Sequence, residues 1–391
     1  MEFELWWLLA FPLFFALGWM AARIDIKHLL TESRAIPLSY FKGLNFLLNQ
    51  QPDKAIEAFI EVVKVDPDTV ELHFALGGLF RKRGEVERAI RMHQNLLERA
   101  DLGAEQKLTA LFELAQDYFK SGLLDRAEEL FGKLRGSHYE KQALGFLLDI
   151  YQQEKDWLHA IEVARQLEPI SEQPRLKEIA NYYCELAAND INHSQPDEAR
   201  NKLNQALQAN KKCVRANILL GDLEKSAGRH EQALAAWKSI EIQNPVYLSL
   251  IAERLLESYR QAGKLEEGVT LLRGYLTSYP SLDMLNAIFQ AVLETQGAES
   301  AYQTVRDEVR RNPTLLGLDK LLEAQLLEAP PERRHDLELI KNLVHHHTRS
   351  LAMYRCDSCG FRARQFYWHC PACGGWETYS PKRVEEREMT V

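Results

Sequence analysis

A frame of residue types recurs along the middle of the chain, and it restricts the fold more than any other feature. Its first copy is Gly43, Phe46, Ala55, Phe59 and Pro67; 34 residues on, it reads Gly77, Phe80, Ala89, His93 and Asp101. Further copies run through Tyr118, Ala127 and Phe131, through Tyr151, Ala160 and Ala164, through Leu186, Ala199 and Leu203, and through Gly221, Ala233, Trp237 and Pro245. Weaker ones follow at Tyr259, Gly268, Leu272 and Pro280 and at Ala301, Val305 and Pro313. Each copy makes sense as two helices joined by a tight turn. Ala at the closest position lets the helices approach, and Gly84, Gly122, Gly228 and Gly263 end the first helix with a residue free to take positive φ. Proline then punctuates the passage into the next copy. One such hairpin cannot bury its apolar stripes alone, so stability must come from stacking neighbours, which also creates an extended concave face.

A period of 34 residues is that of the tetratricopeptide repeat. The expected fold class is therefore all-α, a tetratricopeptide-repeat superhelical solenoid over residues 37–348 of about eight to nine repeats, with a helical pair from Leu315 to His347 capping the stack. At 391 residues the chain exceeds the size of one hydrophobic core, as a repeat array can. Its 46% hydrophobic and 27% charged residues are ordinary for a folded body. A net charge of −8, with no compact Lys/Arg block in the body, excludes the electrostatic footprint of a nucleic-acid binder. In tetratricopeptide grooves the exposed positions of the first helix contact ligand. By register these are Arg81, Lys82, Lys120, Asp149, Arg215, Asp222, Lys225, Glu253, Glu257 and Arg260, the candidate partner-binding residues. Their mixed signs fit a protein partner rather than a polyanion.

Residues 5–22, LWWLLAFPLFFALGWMAA, carry no charge, and at 1.5 Å per residue they reach about the thickness of a bilayer core. Trp6, Trp7 and Trp19 sit near the two ends, where amphipathic rings favour the headgroups. A cleaved signal peptide needs a positive leader, whereas Glu2 and Glu4 precede this run and cations begin only at Arg23 and Lys27. The expectation is a transmembrane anchor at 1–22 and a juxtamembrane connector at 23–36. The chain would then be a single-pass membrane protein with its body on the cytoplasmic side.

Four of the six cysteines lie at the C-terminal end, Cys356, Cys359, Cys370 and Cys373, as C-x2-C, ten residues, C-x2-C. Two such turns can close a tetrahedral site for one metal ion, zinc or iron, and residues 352–382 are expected to form this small four-cysteine domain. Gly360 and Gly374 follow the second cysteine of each pair, where the chain must bend sharply. So short a segment cannot build a sufficient core, so metal binding should supply its folding energy. Phe361, Phe366, Tyr367, Trp368 and Trp376 would form the miniature core, with one or two docking on the solenoid, and His369 reads as a surface residue rather than a ligand. His345, His346 and His347 read as a solvated helix end, and Cys184 and Cys213, in helical sequence, as small buried hydrophobes.

No phosphate-cradling glycine loop, dinucleotide fingerprint, nucleophile elbow or zinc-protease helix motif occurs, so the sequence offers no catalytic residues. The stretches GLNFLLNQQPDKAIEAF from Gly43, LGGLFRKRGEVERAIRMHQ from Leu76, and YRCDSCGF with YWHCPACGGW at the tail resemble the lipopolysaccharide assembly protein B family of Gram-negative bacteria. The resemblance covers essentially the whole chain and its rubredoxin-like tail. It implies an inner-membrane adaptor that helps a membrane-bound ATP-dependent zinc metalloprotease degrade the deacetylase committing precursors to lipid A, and so limits lipopolysaccharide production. It also implies scaffolding of other lipopolysaccharide-assembly proteins and restraint by a membrane-embedded antagonist, and it carries the family's metal ligands onto the four tail cysteines. Two further readings stand beside it: a rubredoxin-type electron carrier, and an assembly scaffold with no part in proteolysis.

Overall fold

The structure, a computed structural model, describes residues 12, 14–20, 38–65, 69–171 and 174–388. Most of the expected anchor and the whole connector, as well as Pro67, lie outside these residues. Residues 14–20 are helical and exposed, and among the described residues no helix is long and apolar enough to cross a membrane. The chain divides between Ile150 and Tyr151 into two compact units.

The first unit is built from consecutive helices in pairs, Leu38–Leu48 with Pro52–Val65, Val70–Arg83 with Val86–Glu98, and Ala104–Ser121 with Leu124–Gly132. The pairs are close because a small residue faces a large one. A methyl group added to Gly43 would lie 2.4 Å from the Phe59 ring, and one added to Gly77 would lie 2.3 Å from His93 Nε2. Ala55, Ala89 and Ala127, the frame alanines, have no exposed surface. Gly84 and Gly122 end their helices at φ 88° and 79°, and their N–H groups bond back to carbonyls of the preceding turn. Between the second and third pairs runs a buried polar chain. Asp117 accepts a bond from Arg81 at 2.7 Å and faces His93 Nδ1 at 2.5 Å, while Arg81 also reaches Glu113 at 2.6 Å. Burial alone would depress the Arg81 pKa, but Glu113 and Asp117 outweigh it and hold the guanidinium above its ordinary range.

The second unit repeats the plan. Leu176–Asn192 packs on Pro196–Ala209, Val214–Ser226 on His230–Lys238, Ala252–Gln261 on Leu265–Ser278, Leu282–Gln296 on Ala298–Arg311, and Leu315–Leu327 on Pro331–Thr348. Gly221 repeats the small-facing-large contact, a methyl there lying 2.2 Å from Trp237 Nε1, and Gly228 and Gly263 take φ 75° and 70°. The frame breaks at Pro245–Ile251, a 3-10 helix that follows the short helix Ile240–Gln243 and carries Tyr247. Cys184 and Cys213 are fully buried, as small hydrophobes would be, and His345 pairs at the helix end with Asp319 at 3.0 Å.

The adjacent glycines of helix Val70–Arg83 separate the two roles of glycine. A methyl on Gly78 meets nothing within 4 Å. Gly78→Ala should therefore stabilise by about 0.5–1 kcal/mol through helix propensity, whereas Gly77→Ala should destabilise by about 1–3 kcal/mol through overpacking against His93. Melting curves of the two variants test this, and equal midpoints would contradict it.

Candidate metal centre and its seat on the repeats

The tail folds as two sharp turns facing one another. Strand Tyr354–Arg355 pairs antiparallel with Arg362–Ala363, and isolated bridges join Cys356 to Tyr379 and His369 to Trp376. In each turn the glycine N–H bonds to the carbonyl of the first cysteine, Gly360 to Cys356 at 3.0 Å and Gly374 to Cys370 at 2.9 Å. Both glycines have positive φ, 76° and 67°, so any side chain there would be strained. The turns bring the sulfurs of Cys356, Cys359, Cys370 and Cys373 within 4.8 Å of one another. Cys356 and Cys373 are 3.8 Å apart, and Cys359 and Cys370 are 3.7 Å apart. A tetrahedron with metal–sulfur bonds of about 2.3 Å has edges of about 3.8 Å, so the four thiols fit one metal ion of the zinc or iron type. Burial opposes ionisation of Cys356, but the Thr378 hydroxyl and the N–H groups of Ser358 and Cys359 hold its pKa down to about 6. All four ligand positions would be filled by protein, which makes such a metal structural and leaves no place for substrate.

The miniature core takes two of the five tail aromatics, and two others dock on the repeats as expected. It consists of Tyr354, Tyr379, Cys356 and Cys370, with Phe366 and Tyr367 packed against it, while Phe361 is 41% exposed. Trp368 and Trp376 turn to the repeats instead. Trp376 donates to Gln152 Oε1 at 3.0 Å and sits edge-on to Trp157 and Tyr182, under the guanidinium of Arg215. Trp368 stacks on Tyr247 with ring centres 5.5 Å apart and planes inclined by 6°. His369 is not a free surface residue: it is half-buried and stacked on Trp376 at 4.4 Å, and burial lowers its pKa.

A polar seam completes the seat. Glu377 accepts from Asn181 at 2.9 Å; burial raises its pKa, and the Asn181 bond and the charge of Lys177 pull the other way. Asp283 receives Tyr354 Oη at 2.8 Å and the Arg383 guanidinium at 2.8 and 3.0 Å. Glu386 accepts from Leu282 N at 2.8 Å, and Glu385 from Leu315 N and Leu316 N, so two tail carboxylates cap the first turns of two repeat helices. These residues extend past 382, beyond the segment that the cysteine spacing marks, and no sequence signal pairs them with helices 69 to 104 residues away.

The candidate groove residues are largely engaged within the chain. Arg81 is spent on Glu113 and Asp117, Arg215 on Glu185 at 2.7 Å, Asp222 on Arg254 at 2.8 Å, and Arg260 on Glu257 and on Glu294 at 2.6 Å. The partners lie 30 to 36 residues away, one repeat along, apart from the local Glu257. Lys82, Lys120, Asp149 and Glu253 are exposed, and Lys225 is half-exposed near Asp222 and Glu257.

Because two tryptophans of the tail are packed on the repeats, loss of metal should be felt outside the knuckle. A strong chelator is expected to lower the melting midpoint of the chain and shift tryptophan emission to the red as Trp368 and Trp376 enter water, with metal restoring both. Unchanged emission and midpoint after verified metal removal would refute the coupling.

Comparison with known proteins gives the same division of the chain. The model described as a rubredoxin metal binding domain matches residues 354–381, and that of the tetratricopeptide repeat matches residues 42–103 and 185–245. Among solved structures, the TPR2AB-domain:pHSP90 complex of yeast Sti1 overlaps 68% of this chain and 95% of its own at 14% identity and a TM-score of 0.33. Lipopolysaccharide assembly protein B of Haemophilus influenzae is 31% identical, covering 97% of this chain and 98% of its own. The protein of that name from Escherichia coli K12 is 36% identical over 378 residues, 96% of this chain and 97% of its own. The repeats, the four-cysteine tail and 36% identity over nearly the full length together place the chain in the lipopolysaccharide assembly protein B family.

Proposed function

We propose that this protein acts in lipopolysaccharide assembly as a binding protein rather than a catalyst, and that it is an inner-membrane adaptor. In this reading residues 1–22 anchor it, the body faces the cytoplasm, and the repeats with their knuckle present the lipid A-committing deacetylase to a membrane-bound ATP-dependent zinc metalloprotease. A membrane-embedded antagonist would restrain it, and other lipopolysaccharide-assembly proteins would share the scaffold. The observation that carries the binding role is the construction of the tail. Its four thiols close around one position and its aromatic residues are built into the repeat wall, so the metal fixes a surface and offers no open coordination site. An anchored adaptor raises the effective concentration of a substrate beside the protease, which requires no chemistry of its own.

The half-life of the deacetylase in cells tests this. Depletion of the protein should lengthen it, and a Cys356→Ser, Cys359→Ser double variant should fail to restore it. A half-life indifferent to depletion would leave assembly scaffolding without proteolysis as the better account. A chain lacking residues 1–22 should stay folded and bind the deacetylase, yet no longer promote its turnover; full turnover by that chain would exclude the tethering mechanism.

One observation favours a second reading. Cys359 and Cys373 are exposed, and an iron-loaded site with exposed ligands suits electron exchange. Visible absorbance that bleaches on reduction in the protein purified from its own cells would support an electron carrier, and stoichiometric zinc would exclude it.

A further inference from the structure

Between the tail and the repeats of the second unit lies an open cavity of about 820 Å³ whose lining includes none of the four tail cysteines. The polar groups in it are unevenly spent. Gln243 donates its amide to the Lys211 carbonyl at 2.8 Å, which fixes the orientation of the amide and leaves Oε1 buried without a hydrogen-bond partner among the described residues. Glu377 receives Asn181 on Oε1, and no described residue donates to its other oxygen. Tyr247 is 9% exposed, its ring is covered by Trp368, and its hydroxyl has no hydrogen-bond partner among the described residues. Glu377 reaches this position from a left-handed backbone, φ 52°, held by its N–H bond to the Trp368 carbonyl at 2.7 Å. A residue with a β-carbon is strained there, and strain of this kind collects at ligand sites. Lys177 and Lys212 line the same cavity, are exposed, and form no ion pair among the described residues.

The interior therefore offers acceptors and the rim offers cations. A ligand that satisfies both brings several N–H donors inward and leaves an anion outside. Guanidinium suits the interior better than ammonium, because its five N–H groups form a flat fork that can divide among separate acceptors and lie against an aromatic wall. A simple anion would satisfy the lysines but would face Glu377 and Glu178, both in the lining, and would leave Gln243 Oε1 unpaired.

We propose that this cavity docks an arginine-bearing segment of a partner protein, the guanidinium meeting Glu377, Gln243 and Tyr247 beside Trp368 and an acidic residue of the same segment resting on Lys177 and Lys212. The proposal rests on the reading of the chain as a protein-binding scaffold and holds with or without a role in proteolysis. Its test is independent of any half-life measured in cells.

The metal-loaded full chain in detergent micelles is titrated with acetyl-Ala-Arg-Ala-Glu-amide and with the same peptide carrying citrulline, the neutral isostere, in place of arginine. The indole N–H resonance of Trp368, assigned through Trp368→Phe, reports binding. The arginine peptide should shift it, the citrulline peptide should bind about tenfold more weakly, and Glu377→Gln should weaken the arginine peptide by about tenfold, as loss of a charge-assisted contact does. Tyr247→Phe should weaken it a few fold, and with Gln243→Leu it decides the matter if Glu377→Gln fails to retain metal. Equal affinity for the two peptides, an unmoved Trp368 resonance, or undiminished binding by the folded variants overturns the proposal. So does equally tight binding of acetyl-Ala-Glu-Ala-Glu-amide.

Discussion

Several helix pairs depend on one close approach, in which a glycine of one helix gives room for a bulky residue of the other. Gly43 faces Phe59, Gly77 faces His93 and Gly221 faces Trp237, all at distances where a methyl group would collide. Fixing the separation within a pair fixes the geometry with which the next pair can stack, because interiors are packed too densely to absorb a change of even one methylene. The ion pairs that join successive repeats follow from it. Arg81 can meet Asp117, and Arg254 can meet Asp222, only if first helices recur at a constant spacing.

The tail solves the opposite problem, having too little apolar surface to hold itself together. Its thiols converge without disulfides, and its two tryptophans leave the small core to complete the larger one of the repeats. The break in the repeat frame at Pro245–Ile251 belongs to this arrangement, since Tyr247 on that segment is the ring on which Trp368 lies. Arg383, held between Asp283 and the Ala352 carbonyl, keeps its charge against the desolvation of burial.

What could be read from sequence was what depends on local geometry. Positive-φ glycines at 84, 122, 228, 263, 360 and 374, the fully buried frame alanines and the four converging thiols all follow from spacing within one or two turns. The seat of the tail did not, because Trp376 finds Gln152, and Glu385 finds Leu315, only through the completed stack. His369 looked like a surface residue because nothing near it in sequence shows that Trp376 would cover it. The groove residues show a different limit. Register gives the face on which Arg81, Arg215 or Arg260 stands, but not that the side chain is occupied by the neighbouring repeat, so substitutions there perturb folding as well as any surface they present.

The hydrogen bond between Trp376 and Gln152 spans 224 residues of chain, whereas the helices of the repeats pack on their neighbours in sequence. Repeats built on local contacts can form as they leave the ribosome, but this bond needs the last segment to be synthesised. Closing so long a loop through a disordered chain would cost several kcal/mol, since loop entropy grows with the logarithm of its length. A stack already folded shortens the search to one docking step. The order of synthesis thus matches the order of assembly, and a polypeptide truncated before the tail would expose an unoccupied aromatic wall at Trp157, Tyr182 and Tyr247, marking it as unfinished.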